Sequence, residues 1–467
     1  MFSAAPVFTN DAVVLGILVV VLALIFHTAS LQSDGWRRFY TIVPSLLLCY
    51  FVPALLNWPL GLIAPHWFDS GVLDLIADKG VDIPNAAQLS YAELKAALVE
   101  AGVSKAEYGA YEGHSQLYFV ASRYLLPASL ILLCLGIDFK GILNLGPKAI
   151  IMFFAATAGI VIGGPVALLA AAYLMPDVIG ADAGELARGL STIAGSWIGG
   201  GANQTAMKEI FEVSDDLFGT MIMVDVVVAN IWMGFLLYGA NISERLDQRM
   251  GADNSAIKDL EQRVASYRES IAEMPTTTKL FIMLSVAFGG VALSHMGADI
   301  ISPFLGRFRD TLEQYNLTSL TSGFFWLVVI ATTYGLALSF TKARKLEGVG
   351  ASRWGSIFIY VLVATIGMKM NLGEVFSNLG LFAIGIIWML IHVSILLLVA
   401  RLIRAPFFFV AVGSQANIGG AASAPIVASA FSPSLAPVGV LMAVLGYALG
   451  TYGALICGQL MIMVAGG

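Results

Sequence analysis

Apolar positions in this chain fall in long unbroken runs. They do not alternate as in a half-buried strand, nor recur every third or fourth residue as on a surface helix. Runs near 11–30, 40–59, 117–137, 148–175, 217–239, 279–301, 320–340, 354–370, 377–400 and 437–463 approach the length of about 20 residues that a helix needs to cross a bilayer. They predict membrane-spanning helices. Two further apolar segments, 187–213 and 405–431, are irregular. The first carries GSWIGGGANQTA (195–206) and the second GSQANIGGAASA (413–424), each with adjacent glycines beside amide and hydroxyl side chains. Each is either a broken helix that crosses the bilayer or a re-entrant hairpin that enters and leaves on one side.

Composition sets the solvent. Of 467 residues, 58% are hydrophobic and 12% charged. Soluble domains carry about 25% charge, so an all-α polytopic membrane protein is expected. The formal net charge of −6 argues against a nucleic-acid partner and leaves membrane lipid and a small-molecule solute as the expected ones. Cys49, Cys134 and Cys457 lie in separate apolar runs and read as small buried hydrophobes, with neither disulfide nor zinc spacing. No Lys or Arg precedes the run at 11–30, whereas a cleaved signal needs a basic start, so this run is expected to be a retained first helix.

Charge separates the two readings of the irregular segments. If both crossed, Arg245, Arg249, Lys258, Arg263 and Arg268 would lie opposite Arg37 and Arg38. If both are re-entrant, these residues share one side with Lys140, Lys148, Lys342, Arg344, Lys345, Arg353, Arg401 and Arg404, the larger part of the 25 basic residues. Short cytoplasmic loops collect Lys and Arg, which favours re-entrant hairpins, an inner (plasma) membrane location and two extracytoplasmic termini. Each half then holds five spans and one hairpin, an odd number of crossings, and the halves must be inverted repeats. Their expected bounds are 1–240 and 279–467, joined by a cytoplasmic linker at 241–278. Order supports the repeat: SRYLLPASLILLCLGIDFKGILNLG (122–146) resembles SRWGSIFIYVLVATIGMKMNLGEVFSNLG (352–380), and each precedes an irregular segment. Residues 64–116 form an acidic extracytoplasmic insertion, where Ser90 and Glu93 make a capping box before an amphipathic stretch ending at Gly102. In the linker, Ile257, Leu260, Val264, Tyr267 and Ile271 follow heptad spacing and would suit a homodimer seam or packing on the linker's own helix ends.

At membrane depth, irregular backbone is tolerated only where it is buried in protein or lines a watery cavity. Gly199, Gly200 and Gly201 open the first segment, and Ser196, Asn203, Gln204 and Thr205 add side-chain ligands. In the second, Ser414, Gln415, Asn417 and Ser423 flank Gly419 and Gly420. Matched glycine-interrupted segments in two halves are the pattern of a secondary transporter's solute site. Half-helix N-termini offer N–H groups to an anion, while freed carbonyls and amide oxygens suit a sodium ion. Helix packing through small residues accounts for the glycines but not for the amides beside them.

Asp225, in MIMVDVVVANIWMG, sits inside a span. A carboxylate there costs roughly 2.5–3.5 kcal/mol and normally marks an ion or proton path. It is expected to bind Na⁺, to carry a proton, or to pair with a buried cation such as Lys208. Asn230 is a second ion-coupling candidate, though five residues on it lies about 140° round the helix. A bound Na⁺ would draw on Asn203, Asp225 and Asn417; no cofactor is expected beyond a coupling Na⁺ or H⁺. Arg123 and Lys369 read as snorkelling residues, and His392 as a core histidine.

An enzyme is the competing class. HExxH, GxGD and the phosphate-binding GxxxxGK[ST] are all missing, and Ser196 has no histidine placed as a partner, so no catalytic role is expected. A channel fits two opposed hairpins less well than an alternating-access carrier.

LGPKAIIMFFAATAGIVIGGPVA (145–167), GSWIGGGANQTAMKE (195–209) and SDDLFGTMIMVDVVVANIWMGFLLYGA (214–240) resemble the YjcL-like family, domain of unknown function 819. The likeness covers most of the transmembrane chain; the two soluble loops are less typical. That family is more remotely similar to the glutamate:sodium and 2-hydroxycarboxylate:sodium symporters. The resemblance implies sodium-coupled symport by an elevator mechanism, with hairpin residues binding solute and ion and a scaffold that forms a homodimer. It leaves the solute open among amino acids, carboxylates and short anionic peptides of cell-wall origin.

Overall fold

The computed structural model describes residues 4–43, 45–137, 142–143, 145–176, 183–252, 275–314, 318–369, 380–432 and 435–466. The heptad positions 257–271 lie outside them, as does Lys140. The chain divides into two compact units, Met1–Arg123 with Tyr360–Val375 and Tyr124–Ile359 with Phe376–Gly467.

The first unit opens with α1 (Asp11–Ser30), whose start is capped by the Asn10 side chain accepting from the Ala12 N–H. Val14, Leu18, Leu22 and Ile25 bury one stripe of it. The span expected at 40–59 is instead two helices, α2 (Asp34–Ile42) and α3 (Ser45–Asn57). Pro44 follows Val43, and a residue before proline is pushed out of the helical region; Val43 is extended at φ −113, ψ 98. The insertion departs from an all-α chain. Strands β1 (His66–Phe68) and β2 (Glu112–His114) pair antiparallel with His66 opposite His114. Between them lie α4 (Gly71–Lys79) and α5 (Tyr91–Glu100). The capping box at Ser90 and Glu93 is formed, and the Ser90 N–H and hydroxyl hold the Glu93 carboxyl below its usual range. Leu94 and Leu98 join Phe68, Val72, Ile76 and Tyr108 in a small core that also takes in Ala4.

The next long helix is α6 (Leu117–Leu135). There follow α7 (Pro147–Leu174), the pair α8 (Ala183–Gly199) and α9 (Gly201–Ile210), α10 (Asp215–Asn241), α11 (Ser243–Met250) and α12 (Thr277–Gly306). Next come α13 (Gly323–Ser339), α14 (Ala351–Gly367), α15 (Gly380–Leu402), the pair α16 (Phe407–Ile418) and α17 (Gly420–Phe431), and α18 (Ala436–Val464). Among the described residues, six helices (α1, α6, α7, α10, α12 and α15) are long and apolar enough to cross a membrane, or up to eight spans if two bent pairs count. One bent pair is α13 with the tight turn Lys342–Val349, at 98°; the other is α18, bent by 51° between Leu441–Tyr447 and Leu449–Val464. The chain is a predominantly helical, multi-pass membrane protein.

Among the described residues, two apolar clusters pack helices of the second unit. Ile131, Leu132, Leu135, Met283, Ala287 and Ala331 pack α6, α12 and α13 together. Met152, Phe153, Phe408, Phe409, Val438 and Met442 pack α7 against α16 and α18. Small residues let the backbones close: a methyl on Gly163 of α7 would lie 2.7 Å from Trp388 Cδ1 of α15.

Candidate functional site

Both irregular segments are helix–break–helix hairpins. Gly200 breaks the first at φ 76, ψ −172, a conformation that a side chain makes costly. The chain then folds back: a methyl on Gly195 would meet the Asn203 carbonyl oxygen at 2.6 Å. Those residues are eight apart, which a continuous helix would separate by about 12 Å. In the second hairpin Gly420 takes the left-handed conformation at φ 57. Gln415 Nε2 donates to Ser423 Oγ at 2.6 Å, again eight residues across the break. The two hairpins converge on α18. A methyl on Gly446 would lie 2.6 Å from the Ile198 carbonyl oxygen of one and 3.4 Å from the Ala416 carbonyl oxygen of the other.

An asparagine latches each hairpin to a long helix by the same three bonds. Asn203 Nδ2 donates to Gly199 O one turn back at 3.2 Å and to Tyr447 O at 3.1 Å, and its Oδ1 accepts from Thr451 Oγ1 at 2.5 Å. Asn417 Nδ2 donates to Gly413 O at 2.9 Å and to Phe153 O at 3.2 Å, and its Oδ1 accepts from Thr157 Oγ1 at 2.8 Å. In both cases carbonyl and threonine are one turn apart on the partner helix. Tyr447 lies where α18 bends, and a bend frees carbonyls for side-chain donors.

Asp225 of α10 is 5% exposed and is gripped by both arms of the first hairpin. Ser196 Oγ donates to its Oδ2 at 2.6 Å and Gln204 Nε2 at 3.1 Å, while Trp197 Nε1 donates to Oδ1 at 2.7 Å. All three partners are neutral. Pairing with Lys208, one of the roles considered for this carboxylate, is not what the structure has: Lys208 Nζ sits 2.9 Å from Asp215 Oδ1 and 3.5 Å from Glu209 Oε1 at the hairpin's exit. Asp225 shares no hydrogen-bond partner with Asn203 or Asn417. Asn230 also stays apart, its Nδ2 donating to Val226 O of its own helix, and Thr205 Oγ1 likewise donates to Gly201 O.

Ser414 occupies the matching place in the second hairpin. Trp232 Nε1 of α10 donates to its Oγ at 2.8 Å, and His392 Nε2 of α15 is 2.8 Å from the same oxygen. His392 Nδ1 lies 3.1 Å from Ala156 O, which can only accept. That assigns the proton to Nδ1 and makes Ser414 the donor to Nε2. His392 is thus a satisfied core histidine that also ties α15 to the hairpin. Gln415 is different: its Oε1 is buried with no partner among the described residues, a condition that costs about 1–3 kcal/mol and is normally explained by a ligand, water or ion.

Several of these contributors were not singled out by sequence: Trp197, Trp232, Thr157, Tyr447, Thr451 and Gly446. Trp197 stands inside GSWIGGGANQTA, but its indole N–H gave no sign that it faces a carboxylate 28 residues on. The threonines lie in ordinary apolar runs.

The uncharacterized membrane protein YjcL of Bacillus subtilis (strain 168) is similar, 24% identical over 346 residues that cover 72% of this chain and 82% of that protein. No solved structure matches. The family model described as protein of unknown function (DUF819) matches residues 96–464, and the chain belongs to that family.

Proposed function

We propose that the protein is an ion-coupled secondary transporter of a small anionic solute, with sodium as the coupling ion and Asp225 as its carboxylate. The observation that carries this reading is the Asp225 environment: a buried carboxylate inside a span, held by three neutral donors and no cation. Burying a charge is costly unless it is paired, and an ion that arrives and leaves supplies that pairing transiently. Because Ser196 and Trp197 lie on one arm and Gln204 on the other, ion occupancy acts directly on the hairpin's closure.

In this reading the halves 1–240 and 279–467 are inverted repeats about the linker 241–278, and the glycine-broken hairpins are re-entrant. Gln415 Oε1 and the backbone around Gly200, Gly419 and Gly420 face the solute. An elevator-type motion carries the hairpins and Asp225 past a scaffold that forms a homodimer, in the inner membrane and without enzymatic activity. Proton coupling is the second reading, and one observation favours it: Ser196 Oγ, 2.6 Å from Oδ2, can accept as well as donate, so a protonated Asp225 keeps its partners.

The test is uptake into proteoliposomes of labelled amino acids, dicarboxylates and acidic dipeptides under an imposed Na⁺ or H⁺ gradient. Asp225→Asn should abolish gradient-driven uptake while the protein remains monodisperse. Full coupled uptake by that variant would remove Asp225 from the mechanism.

A further inference from the structure

A cavity of about 650 Å³ lies at the base of the first hairpin, away from its Gly200 tip. Its polar walls are Arg188 of α8, Glu212 just past α9, Arg309 beyond α12, Thr321 and Ser322 before α13, and Gln459 near the end of α18. The volume falls in the range of about 300–1,000 Å³ typical of small-molecule sites. It opens partly to solvent and offers more room than a single amino acid fills.

Its charges are unspent. Neither guanidinium forms an ion pair or a side-chain hydrogen bond among the described residues; the Arg188 contact is through its backbone, whose carbonyl accepts from Ser191 Oγ. Glu212 is also without an ionic partner there. Backbone geometry singles out the same place. Glu212 closes α9 in the left-handed region at φ 53, with the Val213 N–H donating to Lys208 O at 2.9 Å. Glycine adopts that conformation freely, whereas another L-residue is strained there. A carboxylate is kept at a position where glycine would be more stable, and strain of that kind gathers at functional sites.

We propose that this cavity binds a short acidic peptide bearing two carboxylates and one free ammonium. Arg188 and Arg309 each present a planar fork that matches a carboxylate in bidentate fashion, and Glu212 receives the ammonium. Two guanidiniums and one carboxylate leave the cavity one positive charge, which such a peptide neutralises. The cavity is lined by α8, whose Ser196 donates to Asp225: Arg188 is eight residues, about 12 Å of rise, before Ser196. Its place as the vestibule of a transport path rests on the reading above; the binding itself does not.

The test is calorimetric titration of the purified full-length protein with L-alanyl-L-glutamate. Saturable binding is expected, weakened about tenfold or more by Arg188→Ala and by Arg309→Ala, since each removes a charge-assisted pair. N-acetylation of the peptide, or its replacement by L-alanyl-L-glutamine, should weaken binding similarly. Glu212→Gly should raise the unfolding temperature while weakening the free-amino peptide and sparing the acetylated one. That combination is not expected of a merely structural residue. Asp225→Asn should leave this binding intact, so failure of ion coupling and failure of this site are read separately. No saturable binding, binding indifferent to both arginine variants, or equal binding of inorganic phosphate or free glutamate would overturn the proposal.

Discussion

Gly199 and Gly201 flank the same break and do different things. A methyl on Gly199 would lie 2.7 Å from Gly446 O and 2.8 Å from Gly450 Cα, backbone atoms that have little room to retreat. A methyl on Gly201 meets nothing within 4 Å. Gly199→Ala should therefore destabilise by about 1–3 kcal/mol, the usual cost of overpacking. Gly201→Ala should be neutral or stabilise by up to about 1 kcal/mol, as alanine does in a helix. Thermal unfolding of the two variants in detergent checks the contrast, and equal effects would contradict it. The triple glycine was legible in the sequence as a break; which glycine turns the chain, which permits contact and which is free depends on neighbours more than 200 positions away. Asp225 was legible because a carboxylate in an apolar run is costly. Its three donors were only partly so: Ser196 and Gln204 stood out as polar, and Trp197 passed as an apolar residue.

Each hairpin is held as an element by one asparagine and one threonine on a long helix. Thr451→Val and Thr157→Val each remove the hydroxyl that satisfies an asparagine Oδ1 and should cost about 1 kcal/mol apiece. The two asparagines share no partner, so the double variant should be additive within roughly 0.5 kcal/mol. Denaturation midpoints of the single and double variants measure this, and strong coupling would mean that the hairpins act as one body. The pairing of segments 187–213 and 405–431 could be read from matched glycine interruptions, because an apolar run that admits amides and glycines must satisfy its backbone locally. The partner helices could not, since Thr157 and Thr451 look like any threonine in a span. Pro44 was a local signal of the α2–α3 break, outweighed by the continuous hydrophobicity around it.

At the scale of the molecule, the insertion offers closely spaced ends for a deletion. His66 and His114 face each other across β1 and β2, so the ends of the intervening segment are already adjacent. Replacing residues 67–113 with a short Gly/Ser linker should leave a monodisperse protein with unchanged gradient-driven uptake; aggregation would show that the insertion's core supports the spans. The membrane topology is tested by reporters fused between 241 and 278. Cytoplasmic activity is expected if the hairpins are re-entrant, and extracytoplasmic activity would remove the re-entrant hairpins and the inversion together. Amino-acid order told this level through charge asymmetry and hydropathy alone, which predict sides and spans but not which helices touch. The central claim, that Asp225 holds the coupling ion between the arms of the first hairpin, is tested most directly by equilibrium binding of radioactive sodium to purified protein. Saturable binding displaced by unlabelled Na⁺ but not K⁺, and lost in Asp225→Asn, is the expected result; equal binding by both proteins, or by neither, would contradict it.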